Sequence, residues 1–284
     1  MPVSVERWRS GADAGPVRDR GDYIDPADGL RHCGKCGGAK EAWFPAEVRA
    51  FTGMDRRPAE CPCAAREREQ REVEDRERLR RNRIQRLRAE AFRDLPGEGW
   101  RFETAPVRTP ALEKARQYAC RWDDFSREQI GLLLFGDVGT GKTFAAGCIA
   151  NALIDREVSV RCVSCSQMVD RMQNARGEER ERYLRGLTEC GLLLLDDLGA
   201  ERSTSYGRER VLDLVDRRLL SGRPMLVTTN LPLSALREAS GLEERRIYDR
   251  VLEMCAPLRF SGESFRRGKG RARTARAAAL FNER

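Results

Sequence analysis

Apolar residues follow two regimes along this chain. They are sparse and irregular before Trp100, and beyond it they gather into short blocks separated by amphipathic stretches. Gly131-Leu132-Leu133-Leu134-Phe135 and Leu192-Leu193-Leu194-Leu195 are continuous apolar runs. Runs this short, without polar alternation, fit strands buried on both faces of a parallel sheet. Residues 158–163, 224–229 and 256–260 supply three further strands. Residues 143–154, 166–175, 178–187, 206–220 and 245–254 read as helices between and after them, and 111–125 as a helix ahead of the first strand. This alternation predicts an α/β domain whose mostly parallel sheet carries helices on both faces.

The earlier regime reads differently. Residues 64–90 hold almost no apolar side chains before Leu79, Ile84 and Leu87. They lack Gly and Pro and are dense in Arg and Glu, often three or four apart. Both are good helix formers, and that spacing supports a solvated helix or linker. Leu95-Pro96-Gly97-Glu98-Gly99 interrupts the pattern. Residues 1–30 are polar and aperiodic and are expected to be flexible. The basic tail after Arg266 is expected to be disordered, or to form a helix on binding. The resulting division is a flexible 1–30, a cysteine-rich module 31–66, a charged helical linker 67–99, the α/β domain 100–266 and a basic tail 267–284.

Gly136-Asp137-Val138-Gly139-Thr140-Gly141-Lys142-Thr143 follows the first strand and opens a helix, the strand–loop–helix setting of a phosphate-binding loop. Its glycines let backbone N–H groups turn toward phosphates, and the helix N-terminus favours negative charge. Lys142 would place its ammonium on the β- and γ-phosphates of ATP, and the Thr143 hydroxyl would ligate Mg²⁺. Asp196-Asp197 ends the Leu192–Leu195 strand, where the first carboxylate would hold Mg²⁺ and the second would orient the attacking water. Asn230, ending the 224–229 strand, is placed to sense the γ-phosphate or fix the lytic water. Arg250 and Arg266 are either catalytic arginines or ordinary surface residues of an arginine-rich chain.

In this order, Gly-Asp-Val-Gly-Thr-Gly-Lys-Thr, Leu-Leu-Asp-Asp-Leu-Gly-Ala-Glu, Arg-Pro-Met-Leu-Val-Thr-Thr-Asn-Leu and Arg-Ile-Tyr-Asp-Arg-Val resemble the AAA+ ATPases of the DnaC/DnaI/IstB group over residues 100–266. The resemblance implies an AAA+ domain without a C-terminal helical lid. Lys142 and Thr143 become Walker A, Asp196 and Asp197 Walker B, and Asn230 sensor 1. Arg250 becomes an arginine finger given to a neighbouring subunit, Arg246 an assisting residue and Arg266 sensor 2. It also implies that single-stranded DNA meets residues just after Walker B, here Thr204 and Tyr206. Asp197 stands where many AAA+ proteins carry Glu, which points to slow hydrolysis, or to a nucleotide switch that does not hydrolyse.

Cys33-Gly34-Lys35-Cys36 and Cys61-Pro62-Cys63 bracket a segment too short for its own core. Four thiolates would satisfy structural Zn²⁺, although the second pair is tighter than usual and His32 is an alternative ligand. Four free cysteines are the other reading. The resemblance agrees with zinc, since loaders of the DnaI type carry an N-terminal zinc module that contacts the helicase. The other six cysteines, 120, 148, 162, 165, 190 and 255, read as core packing.

Composition adds little more. The net charge of +8 suits a polyanionic partner. No apolar run approaches the roughly 18 residues needed to span a bilayer, and no leader is visible. The expectation is therefore a soluble, cytoplasmic protein. The functional expectation is an ATP-dependent replicative helicase loader. It would bind a hexameric DnaB-type helicase through its N-terminal module, capture single-stranded DNA, self-associate with ATP and release the helicase on hydrolysis. The alternative is an IstB-like transposition regulator acting on duplex DNA, a kind of protein that usually carries a helical N-terminus.

Overall fold

The computed structural model describes residues 21–199 and 204–282. The chain divides into two units, residues 1–80 and 81–284. The N-terminal unit is built from two small antiparallel pairs. Strand β1 (Tyr23–Ile24) pairs with β2 (Arg31–His32), and β3 (Glu41–Trp43) pairs with β4 (Arg56–Pro58). Helix α1 (Ala46–Thr52) bridges β3 and β4 and closes on Gly53 in the left-handed region (φ 66°). Helix α2 (Pro62–Ala91) follows.

Residues 21–30 therefore correct the expectation of a flexible 1–30, while residues 1–20 lie outside the described residues. The order comes from turn chemistry. The carboxylate of Asp25 accepts from the Ala27 N–H at 2.9 Å, and that of Asp28 from the Leu30 N–H at 2.9 Å. The helix expected over 64–90 runs from Pro62, inside the cysteine module, to Ala91. A proline suits a first helical turn because its missing N–H would have no partner there. Among the described residues, the buried apolar side chains of this unit are Leu30, Cys33 and Cys61. That is too little to hold a fold without a staple.

The second unit contains a wholly parallel sheet of β5 (Gly131–Gly136), β6 (Val160–Ser164), β7 (Leu192–Leu198), β8 (Met225–Thr229) and β9 (Cys255–Phe260), in the order β6-β7-β8-β5-β9. The helices are α3 (Pro110–Cys120), α4 (Trp122–Arg127), α5 (Lys142–Ile154), α6 (Cys165–Asn174), α7 (Gly177–Glu189), α8 (Ser205–Leu220), α9 (Leu233–Arg237), α10 (Leu242–Met254) and α11 (Phe265–Asn282). Alternate residues of the apolar runs feed two cores. Leu133, Leu193, Leu195 and Val227 pack with Met168, Val211 and Ile247. Leu132, Leu134, Leu194 and Leu226 pack with Tyr118, Ile149 and Leu153. The central strands β5, β7 and β8 have hydrophobic partners on both faces, which is why their apolar runs show no alternation.

Three details depart from the sequence expectation. The 111–125 helix is broken at Arg121, and Trp122 turns inward to meet Tyr118 edge-on at 6.0 Å. Residues 265–282 are helical rather than disordered: the Phe265 N–H donates to the Gly139 carbonyl at 3.0 Å, which anchors the first turn, and the Ala/Arg sequence favours helix. The last turns of α2 are not simply solvated. Ile84 and Leu87 pack on the second core, and Arg88 reaches Asn151 at 3.2 Å and pairs with Asp155.

Arg218 is fully buried with no carboxylate partner among the described residues. Its guanidinium donates to the carbonyls of Thr188 and Cys190 at 2.7 Å each, Gly191 at 3.0 Å and Pro224 at 2.6 Å. It thereby pins the end of α7 to the starts of β7 and β8. Among the described residues, no helix is long and apolar enough to cross a membrane.

Candidate nucleotide site and cysteine cluster

The phosphate loop joins β5 to α5. Gly136 (φ 131°), Gly139 (φ 85°) and Gly141 (φ 95°) all take backbone conformations that L side chains avoid. Two of these glycines are also crowded: a Cβ on Gly136 would strike the Phe260 carbonyl, and one on Gly139 would strike Ser264 Oγ. The end of β9 and the start of α11 thus lie directly against the loop. Lys142 is buried, and its Nζ donates to the carbonyls of Gly136 at 2.8 Å and Asp137 at 2.7 Å. Thr140 Oγ1 donates to the Asp137 carbonyl at 2.8 Å. The first N–H groups of α5 have no partner within the helix, which makes its start suited to an anion.

Two strands over, across β8, β7 ends in the acidic pair. Its pairing with β8 is irregular between Leu195 and Leu198, and Asp197 sits there at φ 56°. A non-glycine residue in that region is strained and persists only where its surroundings hold it. The holding group is Thr228 of β8, which is fully buried. Its hydroxyl donates to Asp196 Oδ1 at 2.6 Å and accepts from the Asp197 N–H at 3.0 Å. Asn230 Nδ2 donates to Asp197 Oδ1 at 3.2 Å. Asp196, Thr228, Asp197 and Asn230 therefore form one hydrogen-bonded chain.

Lys142, Thr143, Asp196, Asp197 and Asn230 all line one cavity of about 690 Å³. A hydroxyl and a carboxylate beside an anion-binding loop form a hard oxygen set that fits Mg²⁺. The opposite wall is apolar and comes from the segment ahead of α3, including Leu95, Pro96, Pro106 and Val107. Sequence reading missed both this wall and Thr228. The Leu95-Pro96 pair was its trace, but it read only as a break in the pattern.

Of the other expected site residues, Arg250, Arg246, Thr204 and Tyr206 do not line this cavity. Arg250 is on α10, with Nε paired to Asp216 Oδ1 of α8, and Arg246 is exposed one turn earlier. Arg266 falls in the first turn of α11, and its side chain lies outside the described residues. Thr204 caps α8, accepting from the Gly207 N–H at 3.1 Å. Tyr206 is half-buried, with the Arg210 guanidinium 5.3 Å from its ring centre.

In the N-terminal unit the sulfurs of Cys33, Cys36, Cys61 and Cys63 all lie within 4.8 Å of one another. Cys33 and Cys63 are 3.4 Å apart, and Cys61 and Cys63 3.3 Å. A tetrahedral zinc with Zn–S bonds of about 2.3 Å would set sulfurs about 3.8 Å apart. The turn is built for thiolates. Backbone N–H groups of Cys36 and Lys35 lower the Cys33 thiol, and those of Gly38 and Cys63 bring Cys36 to about 6. Cys63, facing the other three sulfurs, is pushed up to about 12. Four sulfurs at this distance repel once ionised, and a divalent cation removes that repulsion. A Cβ on Gly38 would strike the Pro62 ring, so the tight Cys-Pro-Cys turn requires glycine opposite it. His32 is not a ligand here: its Nδ1 meets the Gly37 carbonyl at 2.8 Å and its Nε2 meets Asp28 at 2.9 Å. Of the remaining cysteines, 148, 162, 165, 190 and 255 are buried as expected, and Cys120 is exposed.

Residues 66–273 match the family of IstB-like ATP binding proteins. The chain is 25% identical over 259 residues to the replicative helicase loader DnaI of Bacillus subtilis (strain 168), covering 86% of this chain and 81% of that protein. That coverage exceeds everything from residue 66 to the C-terminus, so the match enters the cysteine-bearing unit. It is 31% identical over 144 residues to the replicative helicase loader DnaC of Escherichia coli (strain K12), covering 50% of this chain and 56% of that protein, so this match spans about half of each. A crystal structure of DnaI matches with a TM-score of 0.52 at 24% identity, over 63% of this chain and 98% of that one, a likeness of fold. With this loop, acidic strand end and strand order, and a family match across most of its length, the chain belongs to the family of IstB-like ATP-binding proteins.

Proposed function

We propose that this protein is an ATP-dependent loader of a hexameric replicative DNA helicase, acting in the cytoplasm on single-stranded DNA. The observation that carries the reading is the DnaI match running from the ATP-binding unit into the cysteine-bearing unit. That continuity favours a loader over a transposition regulator, which has no evident use for a four-cysteine module.

In this reading ATP lies in the cavity with its base against the apolar wall at Pro106 and Val107. The loop N–H groups and Lys142 take the phosphates, with the ammonium exchanging its loop carbonyls for phosphate oxygens. Thr143 and Asp196 would hold Mg²⁺, which supplies charge neutralisation at the β- and γ-phosphates. Thr228 keeps Asp196 pointed at the cavity and holds Asp197 in its strained turn. Asp197 accepts the proton of the attacking water, and Asn230 fixes the carboxylate that does so. Being one methylene shorter than Glu, Asp197 gives slow turnover, faster when DNA or a neighbouring subunit completes the site. Arg250, outside its own subunit's cavity, reaches the ATP of the neighbour in an ATP-dependent oligomer, and Arg266 reads the nucleotide in its own subunit. Tyr206 and Thr204 meet DNA after Walker B, where an aromatic ring beside Arg210 suits a stacked base. The cysteine unit, braced by zinc, binds the helicase.

Co-purification of the full-length protein with a hexameric replicative helicase, with and without ATP, tests the loader role. A stable complex is expected, and Cys61→Ser should weaken it without abolishing ATP binding. Absence of association in every nucleotide state would remove the loader role and leave the transposition reading.

A further inference from the structure

The α8–α10 interface carries two cross-helix ion pairs. Near one end Arg208 Nε meets Glu243 Oε2 at 2.7 Å, and near the other Arg250 Nε meets Asp216 Oδ1. The second pair is unusual in what it hides. Arg250 Nε and Asp216 Oδ1 are both sealed from solvent, yet each side chain as a whole remains about one third exposed (32% and 33%). The exposed part of Arg250 therefore lies on atoms other than Nε. Among the described residues, neither terminal nitrogen of Arg250 donates a hydrogen bond, and the ion-pair contact to Asp216 is made by Nε.

A guanidinium is a rigid planar fork with two usable edges. A carboxylate against Nε occupies one edge and fixes the plane of the group. The two terminal nitrogens then form the free edge, the geometry that meets phosphate oxygens in a bidentate way. An arginine on a bare surface helix would have to be ordered at every encounter, because its long side chain is mobile. Arg250 is instead held at its root by a neighbouring helix, while its tip stays open.

The geometry points to Asp216 as a positioning residue for Arg250: it fixes the guanidinium on the Nε edge and presents the terminal nitrogens to the phosphates of ATP bound by a neighbouring copy of this chain. The inference rests on the role of Arg250 in a neighbour's site. It adds that this arginine is preorganised by a carboxylate on α8, the helix that follows the acidic end of β7. Asp216 touches no substrate in this arrangement and acts only through Arg250.

The test uses full-length protein with Arg250→Ala, Asp216→Asn, Asp216→Glu and the Arg250→Ala/Asp216→Asn double variant. Three quantities are read for each: affinity for a fluorescent ATP analogue, turnover at saturating ATP with single-stranded DNA, and melting temperature. Asp216→Asn keeps the shape but loses the charge, and should lower kcat about tenfold with ATP affinity unchanged within twofold. Asp216→Glu should recover part of that loss. The double variant should turn over no more slowly than Arg250→Ala alone, because both changes remove the same interaction. If Arg250→Ala abolishes turnover while Asp216→Asn matches or exceeds wild type, the positioning role is overturned and the Arg250 role stands. If Arg250→Ala leaves turnover unchanged, the Arg250 role fails and the positioning role fails with it. Equal losses of ATP affinity and melting temperature in both Asp216 variants would make the pair a structural clamp, which also overturns the inference.

Discussion

Thr228→Val isolates the group that joins the two acidic residues. Valine has nearly the shape of threonine, so packing against the sheet is preserved and only the hydroxyl is lost. That hydroxyl donates to the Asp196 carboxylate at 2.6 Å and accepts from the Asp197 N–H at 3.0 Å. A hydrogen bond to a charged group contributes about 1.5–3 kcal/mol, and a buried donor left without a partner costs about 1–3 kcal/mol. Asp197 is half-buried, so water can restore part of the second term. The expected destabilisation is about 3 kcal/mol. For a unit of this size it should lower the melting temperature by about 6–12 °C. Asp197 also loses what holds it at φ 56°, so turnover should fall at least tenfold by about 1.4 kcal/mol of barrier. ATP affinity should stay near wild type, because the phosphate loop is untouched. Thermal unfolding, titration of a fluorescent ATP analogue and phosphate release measure the three effects. A Thr228→Val protein with wild-type melting and wild-type turnover would refute the reasoning that this hydroxyl builds the acidic end of β7.

Three further outcomes follow from named contacts. Lys142→Ala should abolish binding of a fluorescent ATP analogue, since the buried ammonium supplies the charge at the phosphate loop. Zinc analysis of the purified protein should find one ion per chain, and Cys61→Ser or chelation should make the N-terminal unit protease-sensitive, because few apolar side chains are buried there. Arg218→Met should destabilise the second unit by about 3–5 kcal/mol, read by urea unfolding, because it strands four carbonyls that the guanidinium now satisfies.

The second unit was legible because its central strands β5, β7 and β8 are buried on both faces and so read as short apolar runs. Leu192–Leu195 could be placed from four letters, and the phosphate loop from eight contiguous ones. What escaped had no local signature. Thr228 looked like an ordinary β-branched strand residue, and its role appears only when β8 lies between β5 and β7 and meets the irregular end of β7. The apolar wall at Leu95, Pro106 and Val107 is assembled by the chain folding back on the loop, which no spacing encodes. The small strands of the cysteine unit are two or three residues long, too short for any periodicity, and are held by Asx turns and sulfur geometry. Arg250 could be named from its motif, but its pairing with Asp216 depends on how α8 and α10 pack.

The most direct test of the account is loading itself, measured on closed circular single-stranded DNA. Such a circle offers no end to thread, so a hexameric helicase can encircle it only if its ring is opened. The account predicts that this protein, with ATP, raises the amount of helicase retained on the circle through a high-salt wash, and that Lys142→Ala abolishes the gain. Equal retention with and without the protein would contradict it.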